Sequence, residues 1–264
     1  MRSRLLAFVG ILVFFCHLGF AQGQQDALDV LKKVGETYRS TKTLQAEADV
    51  QTEMNGRGME QKLAAHMFLT LAAPGKFRME TKTGPARVLM IADGQTLWMY
   101  FPELNKYSKV PVGHGSGANA LAAGLPGLGS LPDFSKVAEG VKEARMLPSE
   151  TLQVDGAPID CYVISVLQDQ PVLPNAGSNT GSAGARPMSQ TLWVDKTRLL
   201  VVRLSSDMET ALGASGSAKT KSTVTFSKLA LDDPVPDDAF VFNPPQGATE
   251  LDLTQFMPQS PGPQ

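Results

Sequence analysis

A chain of 264 residues, 42% hydrophobic and 19% charged, has ordinary globular composition and is long enough for one sizeable domain. It carries 24 basic and 26 acidic residues, a formal net charge of −2. With no basic excess to neutralise a run of phosphates, nucleic acid is excluded as an expected partner. The chain opens with Arg2 and Arg4, then an apolar run from Leu5 to Phe15, then Gly19-Phe20-Ala21 with small residues at cleavage positions. Residues 1–21 therefore read as a secretory signal peptide cleaved after Ala21. The alternative is an uncleaved anchor, for which the run is short. Cys16 follows Phe15 where a lipoprotein signal wants a small residue, so lipidation is not expected. Loss of residues 1–21 leaves Cys161 alone, which permits no intramolecular disulfide even in an oxidising compartment.

The elements follow in order. Asp26 to Thr41 reads as a helix, with Leu28, Leu31, Gly35 and Tyr38 near one stripe. Leu44 to Met54 alternates as a strand with one wet face, and Asn55-Gly56 is expected to turn it. Gln61 to Leu71 continues with Leu63, Ala65, Met67, Leu69 and Leu71 on one face. Pro74-Gly75 turns into a strand in which Phe77, Met79 and Thr81 alternate with Arg78, Glu80 and Lys82.

The stretch from Arg87 to Val110 organises the rest. Asp93-Gly94 between apolar runs is a hairpin signal, because both turn residues must tolerate positive φ. A two-residue turn there predicts that Val88 faces Met99, Met90 faces Leu97 and Leu89 faces Trp98. Val88, Met90, Leu97, Met99 and Phe101 then share one face, and Leu89, Ile91, Trp98 and Tyr100 the other. Both faces are apolar, so each side must be covered or must line a cavity. A turn at Pro102 to Asn105 leads to a third strand.

The rhythm breaks after Pro111. Residues 113–134 are apolar but punctuated by glycine, with Leu121, Leu125, Leu128 and Leu131 spread through them. They read either as a short-helix lid over a cavity or as a core-packing excursion. Strands resume at Val137 to Leu147. Glu150 to Val154 and Pro158 to Leu167 flank Asp155-Gly156, a second hairpin signal. Residues 168–187 form a low-complexity, flexible loop insertion. Ser189 to Asp195 pairs with Leu199 to Ser205, and Lys221 to Leu229 alternates once more. The chain closes through Phe240-Val241-Phe242 and Pro244-Pro245, and residues 253–264 read as a disordered tail. Hairpin spacing throughout predicts a single antiparallel meander within one domain, residues 22–252.

At Pro74 to Arg78 (P-G-x-F-R), Asp93 to Pro102 (D-G-x-T-L-W-x-Y-x-P), Leu192 to Asp195 (L-W-V-D) and Phe240 to Ala248 (F-x-F-x-P-P-x-G-A), the chain resembles the periplasmic outer-membrane lipoprotein carrier superfamily, LolA-like. The order of these motifs is more telling than any one of them. The resemblance spans roughly Asp26 to Leu251. It implies an α+β, mainly antiparallel fold, an unclosed half-barrel wrapped around an apolar cavity and covered by an N-terminal helix and a short-helix lid. It also implies a periplasmic protein, a monomer, that binds lipid or lipoprotein acyl chains without a cofactor. Lipoprotein transport to the outer membrane is the first reading. An envelope sensor of the same fold that recognises lipoproteins and regulates a membrane-bound partner is the second. The carriers' cavity cation has no clear match here, with Arg78 as the candidate.

The expected cavity lining is Met67, Leu69, Phe77, Met79, Val88, Met90, Leu97, Met99 and Phe101. Methionine is soft and adaptable and recurs on surfaces that take varied apolar ligands. The plainer alternative is that the same stripe packs as ordinary core. Enzymatic chemistry is not expected. His66 reads as a rim histidine, and Cys161 as an inert core thiol. His114 and Ser116 lie close, but GHGSG is not the G-x-S-x-G nucleophile elbow, because its glycines are misplaced. Asp232-Asp233 and Asp237-Asp238 sit among prolines and read as turn chemistry, and no cluster has metal-ligand spacing.

Overall fold

The computed structural model describes residues 9–56, 59–111, 133–169, 187–211 and 217–251. Helix α1 (Val9–Ser40) leads into β1 (Thr43–Gly56), β2 (Met59–Ala72), β3 (Lys76–Thr83), β4 (Leu89–Asp93), β5 (Thr96–Phe101) and β6 (Lys106–Pro111). These strands form one antiparallel meander. A second comprises β7 (Val141–Val154), β8 (Ala157–Asp169), β9 (Pro187–Asp195), β10 (Val201–Ala211) and β11 (Ser217–Leu231). The strand order is β12-β6-β5-β4-β3-β2-β1-β11-β10-β9-β8-β7, where β12 is Thr249–Glu250.

The expected single meander is thus corrected to two, joined where β1 pairs with β11. In that joint Ala48 faces Phe226 and Val50 faces Val224. The long β1 therefore has a strand on each side, and its apolar row continues in both directions. All pairings are antiparallel except β12 with β6. Strands β12 and β7 end the sheet without meeting, so the sheet is unclosed, as the fold class requires.

The helix begins earlier than expected, because the apolar run preceding Ala21 continues its helical path. Its buried stripe is Ala27, Leu31 and Val34. These positions are separated by four and then three residues, the spacing of one helical face. Tyr38 ties the helix to the second meander. Its hydroxyl accepts from Val201 N at 3.2 Å, and its ring lies 5.1 Å from that of Phe134. Phe134 in turn meets Phe226 edge-on at 5.8 Å. Gly35 is needed for the same contact, since a Cβ there would sit 3.0 Å from Ser135 O.

Turn chemistry decided register, not always as expected. The β4–β5 turn is Gly94-Gln95, with Gly94 at φ +98°. Asp93 is the cap instead: its Oδ1 accepts from Gln95 N at 2.8 Å and Thr96 N at 2.7 Å. Met90 therefore faces Met99, and Ile91 faces Trp98. This register is two residues from the expected one, so every side chain keeps its predicted face. Asn55-Gly56 does not turn the chain. Both residues stay in β1, and Gly56 permits close approach, a Cβ there falling 2.9 Å from Ala218 Cβ. Asp155-Gly156 is the expected two-residue turn, with φ values of 53° and 75°. Strand β7 runs unbroken through Pro148, with a register irregularity between Leu147 and Glu150. A proline fits there because β7 is an edge strand. The segment 112–132 (with His114, Ser116, Leu121, Leu125, Leu128 and Leu131), most of the 168–187 insertion and the tail lie outside the described residues.

Candidate functional site

Pairing across β1 to β6 builds one continuous row. Ala46, Leu69, Met79, Met90, Met99 and Ser108 stand opposite one another in succession. A neighbouring row runs Leu44, Leu71, Phe77, Ala92, Leu97 and Val110. On the other flank Ala48, Met67 and Thr81 are opposite, and Thr81 N donates to Val88 O at 2.9 Å. Side chains at every second position share a face, so these rows form one inner surface. Met67, Met90 and Met99 are fully buried, and Leu69, Met79, Val88 and Leu97 nearly so. Phe77 and Phe101 pack at its margin. Of the nine residues expected to line a cavity, seven fall in one buried cluster, which also includes Ala27, Leu31 and Val34 of α1, and Phe77 and Phe101 pack against it.

Arg78 does not join them. Strand alternation places it on the opposite face from Phe77 and Met79, where its Nη1 donates to Ala239 O at 3.3 Å and its Nη2 lies 3.6 Å from Glu80. It anchors the C-terminal segment to the outside of the sheet and does not reach the methionine row. That segment also explains the second apolar face of the hairpin. Phe242 stacks on Trp98 at 5.4 Å and lies 6.1 Å from Tyr100 and 5.6 Å from Tyr107. Beneath this cover Ile91 is 1% exposed. The Phe-Val-Phe motif followed by prolines carried this information, but only as a strand-like closure.

Two polar residues in the inner surface were not singled out from sequence. Ser108 ends the methionine row and is 1% exposed; Thr81 is 4% exposed. Among the described residues the Thr81 hydroxyl has no hydrogen-bond partner.

The remaining chemistry-bearing groups have structural partners. His66 lies on the outer face, with Nδ1 2.8 Å from Asp49 and Nε2 3.5 Å from Glu47, beside an open cleft of about 370 Å³. Cys161 sits in a small outer cluster with Leu152, Val154 and Val202. Burial, then the nearby Asp195 carboxylate, push its thiol up to about 11, so it is inert near neutrality. Asp195 lines a second open cleft of about 340 Å³, with Asp160 and Arg198. Asp232 Oδ1 accepts from Lys42 N at 2.7 Å and fixes the start of β1, which is turn chemistry. Among the described residues no His/Cys/Asp/Glu cluster fits a metal ion, and no helix is long and apolar enough to cross a membrane.

Residues 39–122 match the family described as outer membrane lipoprotein carrier protein LolA. Over these residues the chain is similar to that family. The matched stretch begins at the end of α1 and contains all of β1 to β6, the meander that carries the methionine row. An outer-membrane lipoprotein carrier protein of Methylibium petroleiphilum is 34% identical over 130 residues, 47% of this LolA-like chain and 59% of the relative. An uncharacterized protein of Methanocaldococcus jannaschii is 26% identical over 250 residues, 92% of this chain and 58% of the relative. The LolA-like chain thus spans under three fifths of the length of either relative. Among solved structures, LprF from Mycobacterium bovis aligns over 84% of this chain and 98% of its own, at 14% identity and a TM-score of 0.46.

Proposed function

We propose that this LolA-like protein binds the acyl chains of a lipid or lipoprotein on the inner face of its unclosed sheet, as an exported carrier and not as an enzyme. The observation that carries the reading is the six-strand row from Ala46 through Leu69, Met79, Met90 and Met99 to Ser108, apolar except at its end. Such a surface needs no polar chemistry to hold a ligand. Each methylene removed from water contributes about 0.8 kcal/mol, so one acyl chain suffices for useful affinity. Methionines adapt their shape to a flexible guest at small cost. The description of the matched family, the name of the Methylibium petroleiphilum relative and the matched β1–β6 region support the same reading. Export through residues 1–21 and release into the periplasm are part of the proposal.

The test is native mass spectrometry of the protein purified from its own envelope fraction, followed by lipid extraction and N-terminal sequencing. A bound acyl mass on a chain beginning at Gln22 is the expected result. An empty protein that also fails to bind a fluorescent fatty acyl probe removes the carrier reading and leaves an interaction module of the same fold, to be pursued by crosslinking to membrane proteins.

A further inference from the structure

The Thr81 hydroxyl is unusual among the buried polar groups of the sheet. Ser205 shares a hydrogen bond with Thr223, and the Asp195 carboxylate accepts three. Thr81 is as buried as these, yet its Oγ1 has no partner among the described residues. Its backbone is accounted for, because Thr81 N donates to Val88 O. Its neighbours on the inner face are Met67 directly opposite, Met79 two residues earlier, and Val88 on the adjoining chain, each 4% exposed or less. Valine has the same shape as threonine and a comparable preference for strands, so neither packing nor strand formation calls for an oxygen here. A buried hydroxyl without a partner is a cost that native structures seldom carry without a reason. The surrounding surface is hydrocarbon and thioether, and it supplies no strong acceptor.

We infer that Thr81 is a polar anchor within the apolar surface, whose hydroxyl donates to the ester or amide carbonyl oxygen of a bound acyl group and so fixes how far the chain lies along the methionine row. This rests on the proposed acyl-binding reading and adds a specificity to it: a carbonyl-bearing chain is distinguished from a plain hydrocarbon. The discrimination follows from geometry. A single donor on an otherwise apolar face is satisfied only by a guest that brings an acceptor to that point. A guest without one leaves the hydroxyl unpaired, as it is in the free protein.

The experiment measures binding of two probes, a pyrene-labelled fatty acid methyl ester and a pyrene-labelled alkane of the same chain length, to wild type, Thr81→Val and Thr81→Ser. Wild type is expected to prefer the ester. Thr81→Val is expected to weaken ester binding about five- to tenfold, the worth of one hydrogen bond, and to leave alkane binding unchanged. Thr81→Ser keeps the preference. The free Thr81→Val protein should unfold at the same or a higher temperature than wild type, since it loses only an unpaired group. Unchanged ester binding in Thr81→Val, an equal loss for both probes, or a lower unfolding temperature of the free variant each overturns the anchor while leaving acyl binding standing. Failure of wild type to bind either probe overturns the acyl-binding reading itself, and the anchor with it.

Discussion

Asp195 shows how a single side chain can hold a turn. It is 5% exposed, and its carboxylate accepts from Thr197 N at 2.8 Å, Arg198 N at 3.1 Å and Arg198 Nε at 2.7 Å. Burial alone would raise its pKa. The Arg198 guanidinium and the two amides outweigh that and hold the carboxyl below its usual range. A depressed folded pKa contributes stability above the unfolded value of about 3.9, and that stability is lost as pH falls through the lower folded value. Asp195→Ala is therefore expected to cost about 2–3 kcal/mol in urea unfolding at pH 7. The difference between variant and wild type should shrink below about pH 4. A gap that stays constant across that range would mean the charge is not what stabilises the turn. At this scale the sequence was informative about faces and silent about partners. Alternation placed Thr81 with Met79 and Phe77, but only the strands packed around it leave its hydroxyl unpaired. Arg78 sat in the same stretch, and the alternation that put Met79 inside put the arginine outside, against Ala239.

At the scale of elements, the hairpin β4–β5 was legible in composition and misplaced by two residues in register. The Asp-Gly signal points to those two residues as the turn, whereas Asp93 caps it through its side chain and Gly94-Gln95 turns. An aspartate suits either position, so the dipeptide does not distinguish them. The even shift preserved both faces, and so the expectation that each needs a cover survived. The outer cover is the segment around Phe242. Phe242→Ala is expected to cost about 1–3 kcal/mol, since it removes a half-buried ring and exposes the faces of Trp98 and Tyr107 that it covered. The emission of Trp98 should move to longer wavelength, with Trp193 as the unaffected reference. Unaltered emission together with unaltered stability would show that the C-terminal segment does not cover this face in solution. Strand β7 tells a related story. Its sequence looked like two weak strands because Pro148 interrupts it, yet an edge strand tolerates a proline whose missing N–H faces away from its neighbour.

The whole molecule depends on the joint between β1 and β11, which merges two meanders into one open sheet and aligns their apolar rows. Met90 lies between Met79 and Met99 in the β1–β6 part of that surface and is fully buried. Met90→Ala is expected to lower stability by about 2–5 kcal/mol, as a large-to-small change in a packed cluster. In the free protein this would appear as a lower unfolding midpoint. A saturating acyl probe should recover part of the loss, because a guest on the inner face fills space the alanine vacates. Full loss with no recovery would favour ordinary core packing over a ligand surface.

By itself the sequence determined a mainly antiparallel protein with an N-terminal helix, the hairpins, and the set of side chains that share each face. These follow from local rules: period-two alternation, turn residues that accept positive φ, and a helical stripe. The order of the motifs from Pro74 to Ala248 also carried the family resemblance. Only the tertiary structure decided that β11 returns to pair with β1, that the C-terminal segment covers the outer aromatic face, and that Thr81 has no partner among the described residues. Each of these is a contact between residues far apart in the chain. Such contacts depend on which apolar rows find each other in three dimensions, and no local pattern encodes that choice.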